Sequence, residues 1–239
     1  MTSMKAVILA GGLGTRLQPF TQVIPKPLLP IGESSVLEIQ ILSLAGCGFK
    51  DIFVATNYMS EYIEAFLGNG TKYGVNLTFS RESKPLGTVG PVLLLREQLT
   101  DPFVLMNGDI LTTLNFRLLL ERAAVADADL TVVTKEIITP FNFGKVTSDG
   151  PHILAIEEKP DMRIEVLAGI YVLKPAVLDL IPSGEYYGID SLIKSMLAQH
   201  RTVGRYAMSE YWLDIGQAEH YRAAQSAYDE HFDHLKKSS

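Results

Sequence analysis

The chain has 239 residues, of which 47% are hydrophobic and 20% charged, a composition typical of a globular protein with an ample core. Its 21 basic and 27 acidic side chains give a formal charge of −6, which argues against a general nucleic-acid surface. The sequence predicts no membrane span and no signal peptide, and its single cysteine excludes an internal disulfide and fits a reducing cytoplasm.

The first predicted strand, Ala6–Leu9, runs directly into a glycine-rich loop. The loop contains Gly11, Gly12 and Gly14. Without side chains, these residues allow a ligand to approach the backbone closely, and successive N–H groups can form an anion-binding concavity. Arg16 and Lys26 add two cations, and the prolines on both sides of Lys26 stiffen the chain. The sequence therefore predicts a polyphosphate-binding loop here.

Two better-known phosphate motifs do not fit this loop. The dinucleotide pattern G-x-G-x-x-G needs a third glycine where Leu17 stands. The pattern G-x-x-x-x-G-K-[ST] needs a glycine before the lysine, where this chain has Pro25. A simple turn is the remaining alternative, and the cations and the rigid Pro-Lys-Pro run argue against it.

Alternating strands and helices follow and predict an α/β fold, a mostly parallel central sheet flanked by helices. The predicted helices are Val36–Leu44 (capped by Ser34 or Ser35), Glu61–Leu67, Thr88–Leu99 and Phe116–Ala126. The predicted strands are Ile52–Thr56, Leu77–Phe79, Phe103–Met106 and Leu130–Val133. Ligands in such sheets bind beyond the carboxyl ends of the strands, where Gly11 and Asp109 both fall.

The second half of the chain predicts a smaller β-rich subregion. Its elements are a hairpin over 144–157, strands at Val166–Leu173, Val203–Tyr206 and Tyr211–Leu213, a helix at Ile189–Ala198 and a last helix from about Gln217. We expect the polar end, His231–Ser239, to be a frayed helix terminus. We predict one domain over 1–239, with a first half at 1–135, a second half at 136–225 and an end at 226–239.

Two aspartates stand in matching surroundings. Asp109 and Asp214 each end an apolar run, and each lies close to a glycine. Carboxylate oxygens suit a hard cation, although either aspartate alone could serve only in a turn.

The segments Gly11–Leu17 and Pro25–Leu28 resemble the signature of the sugar-1-phosphate nucleotidylyltransferases, and later motifs extend the likeness to about Gln225. The likeness is greatest to mannose-1-phosphate guanylyltransferase-like members. It implies the Rossmann-like nucleotide-diphospho-sugar transferase fold, a homodimer, and Mg²⁺ held by Asp109 and Asp214. It also implies catalytic roles for Arg16, Lys26 and Asp109.

The resemblance further assigns two sets of binding residues. Those implied for the nucleotide are Leu9, Ala10, Gly11, Gly12, Gly14, Thr15, Arg16, Glu82, Pro85, Gly87, Thr88, Asn107 and Gly108. Those implied for the sugar phosphate are Gly144, Glu157, Lys159 and Gly169. Members of the family often have asparagine where this chain has Leu167, which leaves the sugar open.

The implied reaction joins a nucleoside triphosphate to a sugar 1-phosphate and releases pyrophosphate. Glu82 favours GTP, since a carboxylate only accepts hydrogen bonds and guanine offers two adjacent donors. A solvated loop position for Glu82 is the alternative. Uridylyl or thymidylyl transfer, a non-sugar phosphate acceptor, a glycosyltransferase and a non-catalytic nucleotide-sugar-binding subunit stay open as rivals.

Overall fold

The structure, a computed structural model, describes residues 3–235. Its strands are β1 (Lys5–Leu9), β2 (Pro30–Ile31), β3 (Ser34–Ser35), β4 (Asp51–Thr56), β5 (Asn76–Arg81), β6 (Phe103–Asn107), β7 (Ile110–Thr112), β8 (Leu130–Pro140), β9 (Lys145–Asp149), β10 (His152–Glu157), β11 (Asp161–Leu173), β12 (Val203–Met208) and β13 (Trp212–Asp214). Its α-helices are α1 (Val36–Gly46), α2 (Ser60–Leu67), α3 (Phe116–Ala126), α4 (Ile189–Ala198) and α5 (Ala218–His231).

The central sheet has seven strands in the order β12-β8-β11-β6-β1-β4-β5. Four of its neighbouring pairs are parallel, and β11 runs antiparallel to both of its neighbours. The mostly parallel sheet predicted from the sequence is therefore confirmed. Its inner strands are continuous apolar runs because helices cover both of their faces.

The chain changes direction across the sheet between β1 and β6. It builds β4 and β5 on one side of β1 and then crosses to place β6 on the other side. Leu9, at the end of β1, lies in register with Asn107, at the end of β6. Such a switch point opens a crevice beyond the strand ends, which is where ligands bind in α/β sheets.

Two apolar cores lie on the two faces of the sheet, and a third lies under α5. The first includes Leu37, Ile41 and Phe116, and the second includes Val92, Leu192 and Met196. In the third core Tyr228 and Phe232 pack with Ile31, Val36 and Ile215. This last core holds α5 against the segment that follows the first loop.

Helix α1 begins at a reciprocal cap on Ser35, one of the two caps expected from the sequence. The Ser35 hydroxyl accepts from the Glu38 N–H at 3.2 Å, and the Glu38 carboxylate accepts from the Ser35 N–H at 3.0 Å. The Tyr73 hydroxyl donates to the other Glu38 oxygen at 2.9 Å. Burial and the Glu38 carboxylate both raise the pKa of Tyr73 far above its ordinary value.

One predicted helix is wrong. The segment Thr88–Leu99 contains a 3-10 helix at Gly90–Leu95 rather than an α-helix. The N–H of Val89 donates to the carbonyl of Tyr187 at 3.1 Å. This long-range bond fixes the start of the segment outside an α-helical ladder, and Pro91, which has no N–H, follows at once.

The end of the chain also differs from its prediction. Phe232 lies within the segment expected to fray, yet it is buried in the third core. The 3-10 helix Asp233–Leu235 follows it, and positions 236–239 lie outside the described residues. Over residues 3–235, no helix combines the length and the apolar character needed to cross a bilayer.

Candidate active site

A cavity of about 560 Å³ opens beyond the ends of β1 and β6, and we term it the large cavity. It contains most of the residues that the sequence assigned to nucleotide binding, namely Leu9, Gly11, Gly12, Gly14, Thr15, Glu82, Pro85, Gly87, Thr88, Asn107 and Gly108. Ala10 does not line it: this residue is buried, and its N–H donates to the carbonyl of Ala55 at 2.7 Å. Ala10 therefore fixes β1 against β4.

A second cavity of about 260 Å³, the small cavity, adjoins the first. Its lining is Gly14, Thr15, Arg16, Lys26, Asp109, Asp214 and Gly216. Gly14, Thr15, Lys26 and Asp109 belong to both linings. The loop after β1 and the turn after β6 therefore meet where the two cavities join.

The glycine loop folds back over Lys26. Gly14 has a φ of +63°, and a Cβ there would lie 2.8 Å from Thr21 Cγ2 and 3.0 Å from Lys26 Cβ. The Thr21 hydroxyl donates to the Gly14 carbonyl at 2.8 Å and holds this turn. Gly12 faces open space, since a Cβ there would meet nothing within 4 Å. The loop is thus pinned at Gly14 and leaves its backbone accessible at Gly12.

The turn that carries Asp109 is fixed from two sides. The Gly108 N–H donates to the carbonyl of Leu9 at 2.9 Å, and a Cβ on Gly108 would lie only 2.6 Å from that oxygen. From below, the buried amide of Gln40 donates to the carbonyls of Asn107 and Ile110 at 2.9 and 2.8 Å. Glycine at position 108 is therefore required for this contact between β1 and β6.

Lys26 and Asp109 form a salt bridge at the junction of the two cavities. The Lys26 side chain is 11% exposed and that of Asp109 27%. Lys26 reaches one carboxylate oxygen, whereas the other, Oδ1, is buried and accepts no hydrogen bond from any residue between 3 and 235. A buried acceptor without a donor is costly, so Oδ1 is available to a ligand that carries positive charge.

Asp214 reaches the same place from the far end of the chain. Strand β13 pairs with β7, and the N–H of Ile215 donates to the Asp109 carbonyl at 3.0 Å. Burial raises the pKa of Asp214, and the neighbouring Asp109 carboxylate raises it further. The Gly216 N–H, at 2.6 Å from Asp214 Oδ1, opposes this rise only in part.

These residues fit a Mg²⁺ ion. Two carboxylates line one small cavity, and one of them keeps a buried oxygen without a donor. Within residues 3–235, no group of three or more His, Cys, Asp or Glu could hold a metal ion. Mg²⁺ is commonly held by one or two carboxylates, with substrate phosphates and waters completing its shell. The site therefore suits an ion that binds together with a phosphate substrate.

Glu82 forms part of the wall of the large cavity. Its Oε1 accepts from Asn57 Nδ2 at 3.0 Å, and its Oε2 accepts from the Leu86 N–H at 2.9 Å. The carboxylate therefore orders the loop from 82 to 86. Each oxygen retains a second acceptor position, since a carboxylate offers about four lone-pair positions.

The lining of the large cavity includes residues that the sequence patterns did not assign to nucleotide binding, among them Asn57 and Tyr186. Asn57 follows the end of β4, and that position alone could have indicated a site at the sheet edge. Tyr186 is distant in sequence from every other residue of the lining, and no local pattern signals it.

The chain from β1 to the end of α5 matches the family model described as Nucleotidyl transferase, over residues 5–231. The protein belongs to the nucleotidyl transferase family. The resemblance found in the sequence is thereby confirmed, and the sheet of the structure, mostly parallel and flanked by helices, confirms the predicted fold.

Relatives within the family include mannose-1-phosphate guanyltransferases of two yeasts. The protein of Yarrowia lipolytica is 36% identical over 94% of this chain and 64% of its own length. That of Schizosaccharomyces pombe is 34% identical over 91% of this chain and 62% of its own length. The chain thus spans less than two thirds of these relatives.

A solved structure is also similar to this chain. HddC from Yersinia pseudotuberculosis complexed with GMP-PN is 26% identical, with a TM-score of 0.75. The match covers 94% of this chain and 99% of that one.

The four residues that the family resemblance assigned to the sugar phosphate lie in two separate places. Gly169 lies against Asn107, a residue of the large cavity, since a Cβ there would lie 2.8 Å from Asn107 Nδ2. Gly144, Glu157 and Lys159 lie on the exposed hairpin β9–β10 and its flanks, and Lys145 lies 3.8 Å from Glu157 as an ion pair. In the described part of the chain, none of the four lines the large or the small cavity.

Proposed function

We propose that this chain transfers a nucleoside monophosphate from a nucleoside triphosphate to a sugar 1-phosphate and releases pyrophosphate. The favoured substrates are GTP and a mannose-1-phosphate-like sugar phosphate. The observation that carries the proposal is the junction of the two cavities, where Lys26 and Asp109 belong to both linings. A glycine-rich anion loop, a lysine and two carboxylates meet there, as a reaction between phosphates requires.

The reaction is a direct displacement. An oxygen of the sugar phosphate attacks the α-phosphorus of the triphosphate, and the bond from that phosphorus to the β-phosphate oxygen breaks. Pyrophosphate leaves with the bonding electron pair, so no covalent enzyme intermediate forms. Little bond chemistry is left to the protein, and the rate depends on positioning and on charge.

The chain's own groups would supply both the positioning of the substrates and the neutralisation of their charge. Gly12 lines the large cavity and Arg16 lines the small one. The loop N–H groups around Gly12 and the Arg16 guanidinium would hold the departing pyrophosphate as hydrogen-bond donors. Lys26 offsets negative charge between the two anionic reactants. Asp109 and Asp214 would hold Mg²⁺, which when bound supplies a Lewis acid for the α-phosphate.

The preference for GTP rests on Glu82. Its carboxylate lines the large cavity and keeps acceptor positions beyond those used by Asn57 and Leu86. Guanine presents its ring N–H and its amino group side by side, which a carboxylate can accept together. The mannose-1-phosphate guanyltransferases among the relatives support the same substrates.

Residues in the second half of the chain would bind the sugar phosphate. Lys159 would bind its phosphate, Glu157 its hydroxyls, and Gly144 and Gly169 would let the backbone come close. Gly169 supports this placement because it already contacts Asn107 at the cavity wall. Leu167 is 47% exposed and offers no hydrogen bond to a sugar, so sugar choice rests on other groups.

A substrate panel tests the proposal. ATP, GTP, CTP, UTP and dTTP would each be combined with mannose, glucose and galactose 1-phosphates and with phosphocholine, in Mg²⁺, and pyrophosphate release would be measured. We expect release that requires both substrates and is fastest with GTP and mannose 1-phosphate. Faster release with UTP or dTTP would contradict the guanine assignment, and release only with phosphocholine would contradict the sugar acceptor.

A further inference from the structure

Tyr186 stands at the rim of the large cavity as an exposed aromatic ring. Its relative exposure is 72%, and it lines the cavity beside Pro85, Gly87, Thr88 and Pro91. Among residues 3–235 it has neither a hydrogen bond nor a ring contact. A single exposed aromatic is ordinary on a protein surface, but a ring on a cavity wall is placed to meet a ligand.

The backbone around this ring is held firmly. The Tyr187 N–H donates to the Leu86 carbonyl at 2.9 Å, and the Tyr187 carbonyl accepts from the Val89 N–H at 3.1 Å. The ring of Tyr187 packs against the second core, so it anchors the same segment from below. The backbone at Tyr186 is therefore held in place at the cavity by the contacts of its neighbour Tyr187.

Two glycines permit this contact. A Cβ on Gly87 would lie 2.6 Å from the Tyr187 carbonyl oxygen, and one on Gly90 would lie 3.2 Å from the Glu185 carbonyl oxygen. Gly87 also has a φ of +80°, a conformation that side chains disfavour. The glycines of the Pro85–Gly90 segment thus allow the 185–187 segment to approach.

We propose that the ring of Tyr186 stacks on the base of the bound nucleotide. This inference rests on the proposed function, since it names a residue for the nucleotide of that reaction. Glu82, on the same cavity, addresses the hydrogen-bonding edge of the base, whereas a ring addresses its face. Every base has such a face, so Tyr186 supplies affinity without choosing among bases.

The test is direct binding, without catalysis. Calorimetry in the absence of sugar phosphate would measure the Kd of a non-hydrolysable GTP analogue, of the matching UTP analogue and of inorganic tripolyphosphate, which has no base. In Tyr186→Ala we expect both analogues to bind roughly 10-fold more weakly and tripolyphosphate to bind as before. Tyr186→Phe should bind like the wild type.

Two further variants complete the test. Tyr186→Leu, which keeps apolar bulk without a ring, should bind as weakly as Tyr186→Ala. Tyr62→Ala, which removes a comparably exposed ring on α2, should change nothing. Unchanged analogue binding by Tyr186→Ala would overturn the inference and leave the proposed function standing. A matching loss for tripolyphosphate, or a loss in Tyr186→Phe, would also overturn it. No nucleotide binding by the wild type would defeat both.

Discussion

Lys26 and Asp109 form a salt bridge between the loop after β1 and the turn after β6. It joins the two sequence motifs that meet at the junction of the cavities. Only one oxygen of Asp109 is engaged, and the other is buried without a donor. The pair is thus incomplete in the free protein, and a phosphate substrate with its counter-ion would complete it.

Asp109→Asn should leave the fold intact and remove most of kcat. The amide keeps the size of the side chain but loses the charge that would hold Mg²⁺ beside the reacting phosphate. One electrostatic group of this kind contributes roughly 3–4 kcal/mol, or about two to three decades in rate. Steady-state kinetics with a thermal melt as the folding control would measure it. Near-normal turnover by the folded variant, with Mg²⁺ still required, would show that Asp109 does not have the proposed role of holding Mg²⁺.

Lys26 and Lys159 should differ in which kinetic constant they change. Lys26→Ala should lower kcat, since this lysine lies at the junction where phosphate charge develops. Lys159→Ala should mainly raise KM for the sugar phosphate, since its charge would meet that phosphate in ground and transition states alike. Lys194→Ala, on the exposed face of α4, is the matched control. Equal effects of the first two variants on KM for the nucleotide alone would speak against this division.

Glu82→Gln should erode the preference for GTP over UTP. An amide replaces one of the two acceptor oxygens by an NH₂ donor, so it cannot pair one acceptor atom with each of the two adjacent guanine donors. The expected loss in the ratio of kcat/KM values is about 1–3 kcal/mol, the cost of mispairing a buried polar group. Because Glu82 also accepts from Asn57, the variant Asn57→Ala separates the two effects. An unchanged ratio of the kcat/KM values for GTP and UTP in Glu82→Gln would show that Glu82 has only a structural role.

Tyr73→Phe should destabilise the fold and spare the chemistry. The Tyr73 hydroxyl donates to the buried Glu38 carboxylate in the cap of α1, and hydrogen bonds to charged groups contribute about 1.5–3 kcal/mol. Urea denaturation would measure the free energy of unfolding, and Tyr62→Phe on the surface would serve as its control. A loss no larger than that of the control would show that the hydroxyl contributes nothing to the cap.

Much of the fold and part of the candidate site could be predicted from local patterns. Gly14, Lys26 and Asp109 each lie within or just after a continuous motif that ends a buried strand, and parallel strands bring such ends together. The α1 cap at Ser35 was predictable for the same local reason. What local patterns could not supply was long-range pairing.

The failures follow from contacts between distant segments. Thr88–Leu99 has helical periodicity, but the Val89 N–H donates its hydrogen bond to the carbonyl of Tyr187, almost a hundred residues away in the chain. The same contact brings Tyr186 to the cavity, and nothing around Tyr186 in the sequence indicates it. Phe232 sits in a polar run and is buried only because α5 packs on Ile31 and Val36. Each outcome depends on tertiary packing that no window of sequence contains.

The most direct measurement of the central claim is phosphorus NMR of the complete reaction. The protein, Mg²⁺, GTP and mannose 1-phosphate would be combined, with Asp109→Asn as the matched control. Direct transfer predicts that the phosphate monoester signal of the sugar is replaced by the coupled diphosphate signals of a nucleotide sugar, with an equal amount of free pyrophosphate. Pyrophosphate without a nucleotide sugar, or the same products at the same rate from Asp109→Asn, would contradict the account.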